Sequence, residues 1–134
     1  MAHFKVSCTL QSLPGIREFV RQELHVLKVN EDLMAQLVLV VDEACTNTIK
    51  HQHNCDESQG FDLNVFRNAN SLVIELTDDG KAFRIDQYNP LNLNEIIQER
   101  RQGGLGIFII TKIMDKVEVE EHDGKIVYRF TKNL

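Results

Sequence analysis

The sequence predicts one α/β (α+β) domain built as a two-layer sandwich, with three helices on one face of a mixed, mostly antiparallel sheet. Two patterns lead to this fold class. Apolar residues alternate with polar ones in five short segments, which is the period of half-buried strands. In three longer segments apolar residues recur at helical spacing. The segments follow in the order β-α-α-β-β-α-β-β, and helices on one face of the sheet would give both layers a common core.

Composition places the chain among ordinary globular domains. A length of 134 residues is typical of one domain, so residues 1–134 are interpreted as a single unit. Hydrophobic residues make up 43% and charged residues 26% of the chain, which is far from the composition of disordered proteins. The longest apolar run, residues 37–41, is much too short to span a bilayer, and the N-terminus lacks a basic segment followed by an apolar stretch. We therefore expect a cytoplasmic protein without a membrane partner.

Charge and cysteine content exclude several other classes of protein. The net charge of -5 results from 20 acidic and 15 basic residues, and without a basic run the attraction to phosphate backbones is missing. The three cysteines form an odd set without CxxC spacing, which favours reduced thiols. His51, His53 and Cys55 alternate along the chain, but this spacing is not a zinc-finger pattern. We expect neither a nucleic-acid partner nor a metal cluster at these residues.

The beginning of the chain predicts a strand followed by a helix. Apolar residues alternate from Phe4 to Leu10, as in a half-buried strand. Ser12 and Pro14 then mark a helix start, because a hydroxyl can cap free amides and proline is tolerated in the first turn. The helix continues to about Leu27 with one apolar stripe.

The second predicted helix runs from a capping residue, Asn30, to about Lys50. Residues 37–41 alone would also fit a buried strand. The flanking residues favour the helix, because they continue the apolar stripe in both directions. Glu43 and Asn47 fall on a different face, which is neither apolar nor simply charged. This second face is where we expect the chemistry.

Two hairpins and a long connection complete the predicted fold. Each hairpin pairs two alternating segments around a short turn: residues 61–65 with 72–76, and residues 117–121 with 126–130. Between the hairpins, residues 81–102 form a polar connection that is long for a compact domain and typical of a functional lid. The third helix follows this connection.

Glu43 and Asn47 are the first candidate site residues. They are four residues apart on a helix, so their side chains lie about one turn apart on the same face. A carboxylate and an amide oxygen suit Mg²⁺, which is usually held by one or two protein groups together with substrate phosphates. Asn47 could bind the ion directly, which would leave Glu43 to accept a proton. The alternative is an ordinary exposed pair of polar residues, since this spacing is common.

Two further motifs place glycine next to a predicted element. Asp78-Asp79-Gly80 follows a strand, where a carboxylate can accept a hydrogen bond from an amino group on a bound ring, and glycine lets the backbone approach closely. Residues 103–106 open the third helix, whose free amides and positive dipole end suit a phosphate. Arg100 and Arg101 lie just before this helix and could reach phosphates. The ordinary alternatives are a tight turn and a flexible linker.

In combination and in this order, the motifs resemble those of the GHKL, or Bergerat-fold, ATPases. Residues 43–47 with Lys50 and His51 resemble the N-box, Asp78-Asp79-Gly80 the G1 box, and residues 103–106 the G2 box. More narrowly, the chain resembles the anti-sigma-factor serine-protein kinases of bacterial partner-switching systems, the RsbW type. The resemblance covers essentially the whole chain and implies the Bergerat ATP-binding fold.

The resemblance also implies roles for the motif residues. Glu43 would be the general base, Asn47 the Mg²⁺ ligand, and Asp78 the contact to the adenine amino group of ATP. The other implied nucleotide contacts are Gly80, Ala82, Arg100, Arg101, Gly103, Gly104, Leu105 and Gly106. Ala82 departs from the family pattern, since many members have a second G1 glycine there. Which of the two arginines faces the phosphates is left open.

The resemblance implies partners as well. Members of the family phosphorylate a serine of a STAS-domain anti-anti-sigma factor and sequester a sigma factor, and a homodimer is expected by analogy. Two other functions share the motifs. One is a nucleotide-gated binding module without transfer chemistry, and the other is a detached histidine-kinase catalytic domain. The last is disfavoured because no dimerisation helix with a phosphoacceptor histidine precedes the motifs, and because the lid, although long for a compact domain, is short for a histidine kinase.

Overall fold

A computed structural model of the chain describes residues 2–7, 9–51, 60–78, 104–122 and 124–134. The strands are β1 (Ala2–Ser7), β2 (Gly60–Asn68), β3 (Ser71–Asp78), β4 (Lys116–His122) and β5 (Lys125–Asn133). The helices are α1 (Leu13–Val26), α2 (Glu31–His51) and α3 (Gly104–Ile113), and a turn of 3-10 helix at Leu10–Ser12 precedes α1. The predicted order of elements is therefore confirmed.

The five described strands form one sheet in the order β1-β2-β3-β5-β4. Each neighbouring pair is antiparallel. The two predicted hairpins, β2 with β3 and β4 with β5, are joined where β5 pairs with β3, and Ile74 lies opposite Phe130 there. The predicted fold class is confirmed, and the described part of the sheet is antiparallel throughout.

One face of the sheet and the three helices share a single hydrophobic core. Because side chains alternate between the faces of a strand, each strand contributes alternate apolar residues. Those that are almost completely buried are Val6, Phe61, Leu63, Val65, Leu72, Ile74, Leu76, Ile126, Tyr128 and Phe130. The helices contribute Ile16, Val20, Leu24, Leu37, Val40, Val41, Cys45 and Ile110, and Met114 follows directly after α3. Burial of each large side chain stabilises the fold by about 1.5–3 kcal/mol.

The opposite face of the sheet carries a charged cluster. Arg129 donates from Nε to Oε2 of Glu75 at 2.8 Å and from Nη1 to Oε1 of Glu120 at 3.0 Å. The hydrogen bonds to Glu120 and then to Glu75 raise the pKa of the Arg129 guanidinium above its ordinary value. The three side chains join β3, β5 and β4 on the face away from the helical core. In the described ranges no helix is long and apolar enough to cross a membrane.

The chain leaves β1 earlier than the sequence pattern predicts. The predicted strand extends to Leu10, but β1 ends at Ser7, and Leu10 is 49% exposed in the 3-10 turn. The prediction that Ser12 and Pro14 mark the start of α1 is confirmed, since Ser12 is the N-cap residue and proline lies in the first turn. The predicted capping bond is wrong, because the Ser12 hydroxyl donates to the carbonyl oxygen of Ser7 at 3.0 Å instead. Local side-chain bonds of this kind compete with regular structure, and here they turn the chain from the strand into α1.

The junction between α1 and α2 contains two capping motifs, one at the end of α1 and one at the start of α2. The amide of Lys28 donates to the carbonyl of His25 and the amide of Val29 donates to the carbonyl of Leu24, both at 3.0 Å. This is a Schellman motif, which places Lys28 in the left-handed region with a φ of 62°. The Oδ1 of Asn30 accepts from the amide of Leu33 at 2.8 Å, so the predicted cap of the second helix is confirmed.

Replacing Lys28 by glycine is expected to stabilise the protein by about 0.5–1 kcal/mol, because glycine adopts the left-handed conformation without the cost of a Cβ. This net value allows for the greater freedom of glycine in the unfolded chain, which offsets part of the gain in the folded state. Urea unfolding of the purified protein measures the difference. Lys28→Ala is the control, since it removes the same charge and keeps the Cβ. An equal gain in both variants would contradict the backbone explanation.

Candidate nucleotide-binding site

Glu43 and Asn47 lie in the second half of α2 and face α3. Asn47 is 7% exposed and Glu43 is half-buried, whereas Leu39, one turn before Glu43, is 41% exposed. The apolar side of α2 belongs to the core shared with the sheet. The polar face of α2 is therefore covered at Glu43 and Asn47. One turn earlier, at Leu39, the same face is exposed to solvent.

Gly106 brings the first turn of α3 directly against these two side chains. A Cβ at this buried position would lie 2.5 Å from Oε2 of Glu43 and 3.4 Å from Nδ2 of Asn47. The first of these distances is shorter than a van der Waals contact, so an alanine at this position would displace the Glu43 carboxylate, whereas glycine leaves room for it. The structure thus brings together the predicted N-box pair and the predicted glycine-rich helix start.

The amide of Asn47 has hydrogen-bonding capacity that the described part of the protein does not use. Its Nδ2 is buried and has no hydrogen-bond partner among the described residues. A buried polar group without a partner costs about 1–3 kcal/mol, and rotation about the terminal bond exchanges its oxygen and nitrogen. A polar ligand between α2 and α3 would satisfy this group.

The start of α3 supplies a second set of polar groups. The first amides of an α-helix have no acceptor within the helix and carry a partial positive charge. In α3 these belong to the turn that begins at Gly104 and includes Leu105 and Gly106. Ile110 of α3 is 1% exposed, and Met114, directly after the helix, is 5% exposed, so apolar packing anchors these amides beside Glu43 and Asn47.

This arrangement fits the phosphates of a nucleotide together with a divalent cation. Helix-terminal amides bind phosphate oxygens, and an amide oxygen near a carboxylate supplies the oxygen ligands that Mg²⁺ prefers. Among the described residues no group of three or more His, Cys, Asp and Glu side chains could hold a metal ion by itself. A cation at this site would therefore depend on ligand phosphates for part of its coordination.

The other predicted site residues are only partly within the described structure. Asp78 is the last residue of β3, where its backbone pairs with Phe61 of β2 and Ile126 of β5. The strand therefore ends at the first residue of the G1 motif, and the predicted strand before this motif is confirmed. The predicted lid at 81–102 lies outside the described residues. So do the predicted site residues Gly80, Ala82, Arg100, Arg101 and Gly103.

A contact that the sequence does not predict lies next to Glu43. Arg17 of α1 donates from Nη1 to Oδ1 of Asp42 at 2.7 Å, which ties α1 to α2 one residue before the candidate base. The two residues are 25 positions apart in sequence, so no local pattern reveals the pair.

Burial, and to a lesser degree the Asp42 carboxylate, raises the pKa of the Cys45 thiol well above its ordinary value. The thiol therefore stays protonated inside the core.

Comparison with known proteins assigns the family. A family model described as a histidine kinase-like ATPase domain matches residues 6–132, a range that includes Glu43, Asn47, Asp78 and Gly106. The chain belongs to this family of histidine kinase-like ATPase domains. Membership of this family implies the use of ATP, and the resemblance inferred from the motifs is confirmed.

A curated relative agrees with this assignment. The ATPase domain is 32% identical over 107 residues to the serine-protein kinase RsbW of Halalkalibacterium halodurans, an alignment that includes 77% of this chain and 64% of the relative. The chain thus spans somewhat less than two thirds of the length of that relative.

Two solved structures share the fold of the ATPase domain. The structure of the RsbU and RsbW domains of a Mycobacterium tuberculosis protein superposes with a TM-score of 0.71 at 14% identity, over 99% of this chain and 32% of that one. The SiaB-SiaC complex of Pseudomonas aeruginosa superposes with a TM-score of 0.66 at 16% identity, over 100% and 90% of the respective chains. At these identities the likeness shows the fold alone.

Proposed function

We propose that the chain is an ATP-dependent serine-protein kinase and an anti-sigma factor of a partner-switching system. In this proposal residues 1–134 form a single ATPase domain with an ATP lid at about residues 81–102. One observation carries the proposal: Gly106 packs the start of α3 against the Glu43 carboxylate and the buried Asn47 amide. The relative named serine-protein kinase RsbW supports the interpretation as a kinase.

In the proposed reaction the residues of this chain mainly position groups and neutralise charge. The amides at the start of α3 hold phosphate oxygens of ATP. Asn47 would hold Mg²⁺, and the bound ion would neutralise phosphate charge and orient the terminal phosphate. Glu43 accepts the proton of a substrate serine hydroxyl while the serine oxygen forms a bond to the terminal phosphorus, and the bond from that phosphorus to ADP breaks. The products are phosphoserine and ADP.

The remaining predicted site residues complete the proposed nucleotide site. Asp78, at the end of β3, accepts a hydrogen bond from the adenine amino group. The other proposed nucleotide contacts come from the G1 motif, the lid and the G2 motif: Gly80, Ala82, Arg100, Arg101, Gly103, Gly104 and Leu105.

The proposed protein partners follow from the family. The substrate is a serine of a STAS-domain anti-anti-sigma factor, and a sigma factor is the sequestered partner. The Pseudomonas aeruginosa structure is a complex of SiaB with SiaC, which is consistent with a fold that binds other proteins. We further propose that the protein acts in the cytoplasm, as a homodimer, without direct contact to nucleic acid.

Incubation of the purified protein with Mg·ATP and a STAS-domain partner tests the proposal, with phosphoserine detected by intact-protein mass spectrometry. The expected result is addition of one phosphate to the partner. Nucleotide binding without phosphoserine would instead support a nucleotide-gated binding module. Phosphate on a histidine of this chain would support a detached histidine-kinase domain. Absence of nucleotide binding would overturn the proposed function altogether.

Asn47→Ala is expected to weaken the binding of Mg·ATP about tenfold or more while changing the affinity for adenosine little, because only the former depends on the cation. Stability should change by less than about 1 kcal/mol, since the loss of packing is offset by removal of an unpaired buried amide. Calorimetric titration measures the affinities and urea unfolding measures the stability. Equal losses for both ligands would indicate that Asn47 supports only the local structure.

A further inference from the structure

The end of α3 that lies away from the candidate site is bound closely to β5. Lys132 donates from Nζ to the carbonyl oxygen of Ile113 at 2.8 Å. The amide of Asp115 donates to the carbonyl of Thr131 at 2.9 Å, and Oδ2 of Asp115 accepts from the amide of Asn133 at 2.7 Å. We call these three contacts, together with the Lys132–Asp115 ion pair at 3.8 Å, the α3 clamp.

The side chain of Lys132 lies on the side of the sheet that faces α3. It follows Phe130 at a spacing of two along β5 and lies opposite Leu72, both of which are core residues, so it belongs to the face of the sheet that the helices cover. Its side chain is only 24% exposed. Its charge meets the negative end of the α3 dipole, where a cation is stabilising.

The clamp and the candidate site are at opposite ends of one short helix. The ten residues of α3 span about 15 Å at the usual rise per residue, and such a helix moves as a rigid body. At its first turn, a methyl group on Gly106 would overlap Oε2 of Glu43 in the position that this side chain occupies. A displacement of the clamped end therefore changes the distance between the first amides of α3 and the Glu43 and Asn47 side chains.

We propose that Lys132 is a positioning residue for the nucleotide site. Through the α3 clamp it fixes where the first amides of α3 lie, and so it determines the affinity for the phosphates of the nucleotide. Adenine recognition, proposed at Asp78 on β3, does not depend on the position of α3. The inference deepens the proposed function and rests on it.

The test compares two ligands by calorimetry at a temperature where each variant is folded by circular dichroism. In Lys132→Met the affinity for Mg·ADP is expected to fall about tenfold, which is the loss expected when one charge-assisted hydrogen bond is weakened. The affinity for adenosine should stay within about twofold. Lys132→Arg retains a cationic donor and is expected to restore most of the Mg·ADP affinity. Lys116→Met is the matched control, because Lys116 is 65% exposed and pairs only loosely with Glu118, at 3.6 Å.

Two outcomes would overturn the inference while leaving the proposed function intact: unchanged Mg·ADP affinity in Lys132→Met, or equal losses for Mg·ADP and adenosine. Wild-type protein that binds neither ligand would overturn the proposed function and this inference with it. If Lys132→Met does not fold, Asp115→Ala carries the test, since it removes the acceptor of Asn133 and the partner of Lys132. The same selective loss of Mg·ADP affinity is expected there, and equal or absent losses would overturn the inference.

Discussion

Glu43→Gln is expected to lower the rate of phosphoserine formation by a factor of about 10² to 10⁴, the usual contribution of a general base. Glutamine has nearly the shape of glutamate, so the contact with Gly106 and the position of α3 are retained. What is lost is the ability to accept the proton of the substrate serine. The affinity for Mg·ATP should change little, because the proton transfer takes place only in the transition state.

Single-turnover kinetics with radiolabelled ATP and a STAS-domain partner measures the rate, and titration calorimetry measures the nucleotide affinity. Glu18→Gln is the control, since Glu18 is an exposed residue of α1 whose carboxylate accepts from the side-chain amide of Gln22, one turn later, at 3.2 Å. That variant should transfer phosphate at the wild-type rate. Full activity of Glu43→Gln would exclude Glu43 as the base, even if nucleotide binding is confirmed.

The parts of the fold that the sequence predicts well are those determined by local periodicity. Leu63 and Val65 of β2 and Ile74 and Leu76 of β3 are buried as the alternation indicates. The helical interpretation of residues 37–41, for which a strand is the alternative, is also confirmed within α2. In both cases the pattern extends over enough residues for one period to fit and the other to fail.

The burial of α2 exceeds the prediction because several neighbours cover this helix. The predicted stripe includes Leu37, Val41 and Cys45, but Val38 and Ile49 are also buried, each 7% exposed. A single stripe is expected for a helix that lies on one surface. Since α2 contacts α1 and α3 as well as the core of the sheet, more of its circumference is apolar than one stripe describes.

Contacts between distant segments are not predictable from local patterns. The pairing of β5 with β3, the Arg17–Asp42 ion pair and the α3 clamp each join residues that are well separated in sequence. The same holds for the meeting of Gly106 with Glu43 and Asn47. Only the resemblance of the motifs to a known family predicts that meeting, because spacing alone leaves an exposed polar pair as the alternative.

The contact at Gly106 leads to the second large effect. Gly106→Ala is expected to lower phosphoserine formation at least about 10²-fold, because the new methyl group would lie 2.5 Å from Oε2 of Glu43 and must displace the base from its position. The stability of the fold should change by less than about 1 kcal/mol. The Glu43 carboxylate is the far end of a flexible side chain that can rotate away, and alanine is favoured over glycine within a helix by a similar amount.

Gly15→Ala provides the matched control, because it makes the same substitution within α1. A Cβ there would meet only the ring of Phe4, at an ordinary distance of 3.9 Å, so this variant should keep full activity and gain about 0.5–1 kcal/mol of stability. Kinetic assays and urea unfolding on both variants separate the two effects. If Gly106→Ala retained activity, close approach of α3 to Glu43 would not be needed for transfer. If it failed to fold, the contact would be a requirement of the core rather than of the site, and Glu43→Gln and Asn47→Ala would test the site instead.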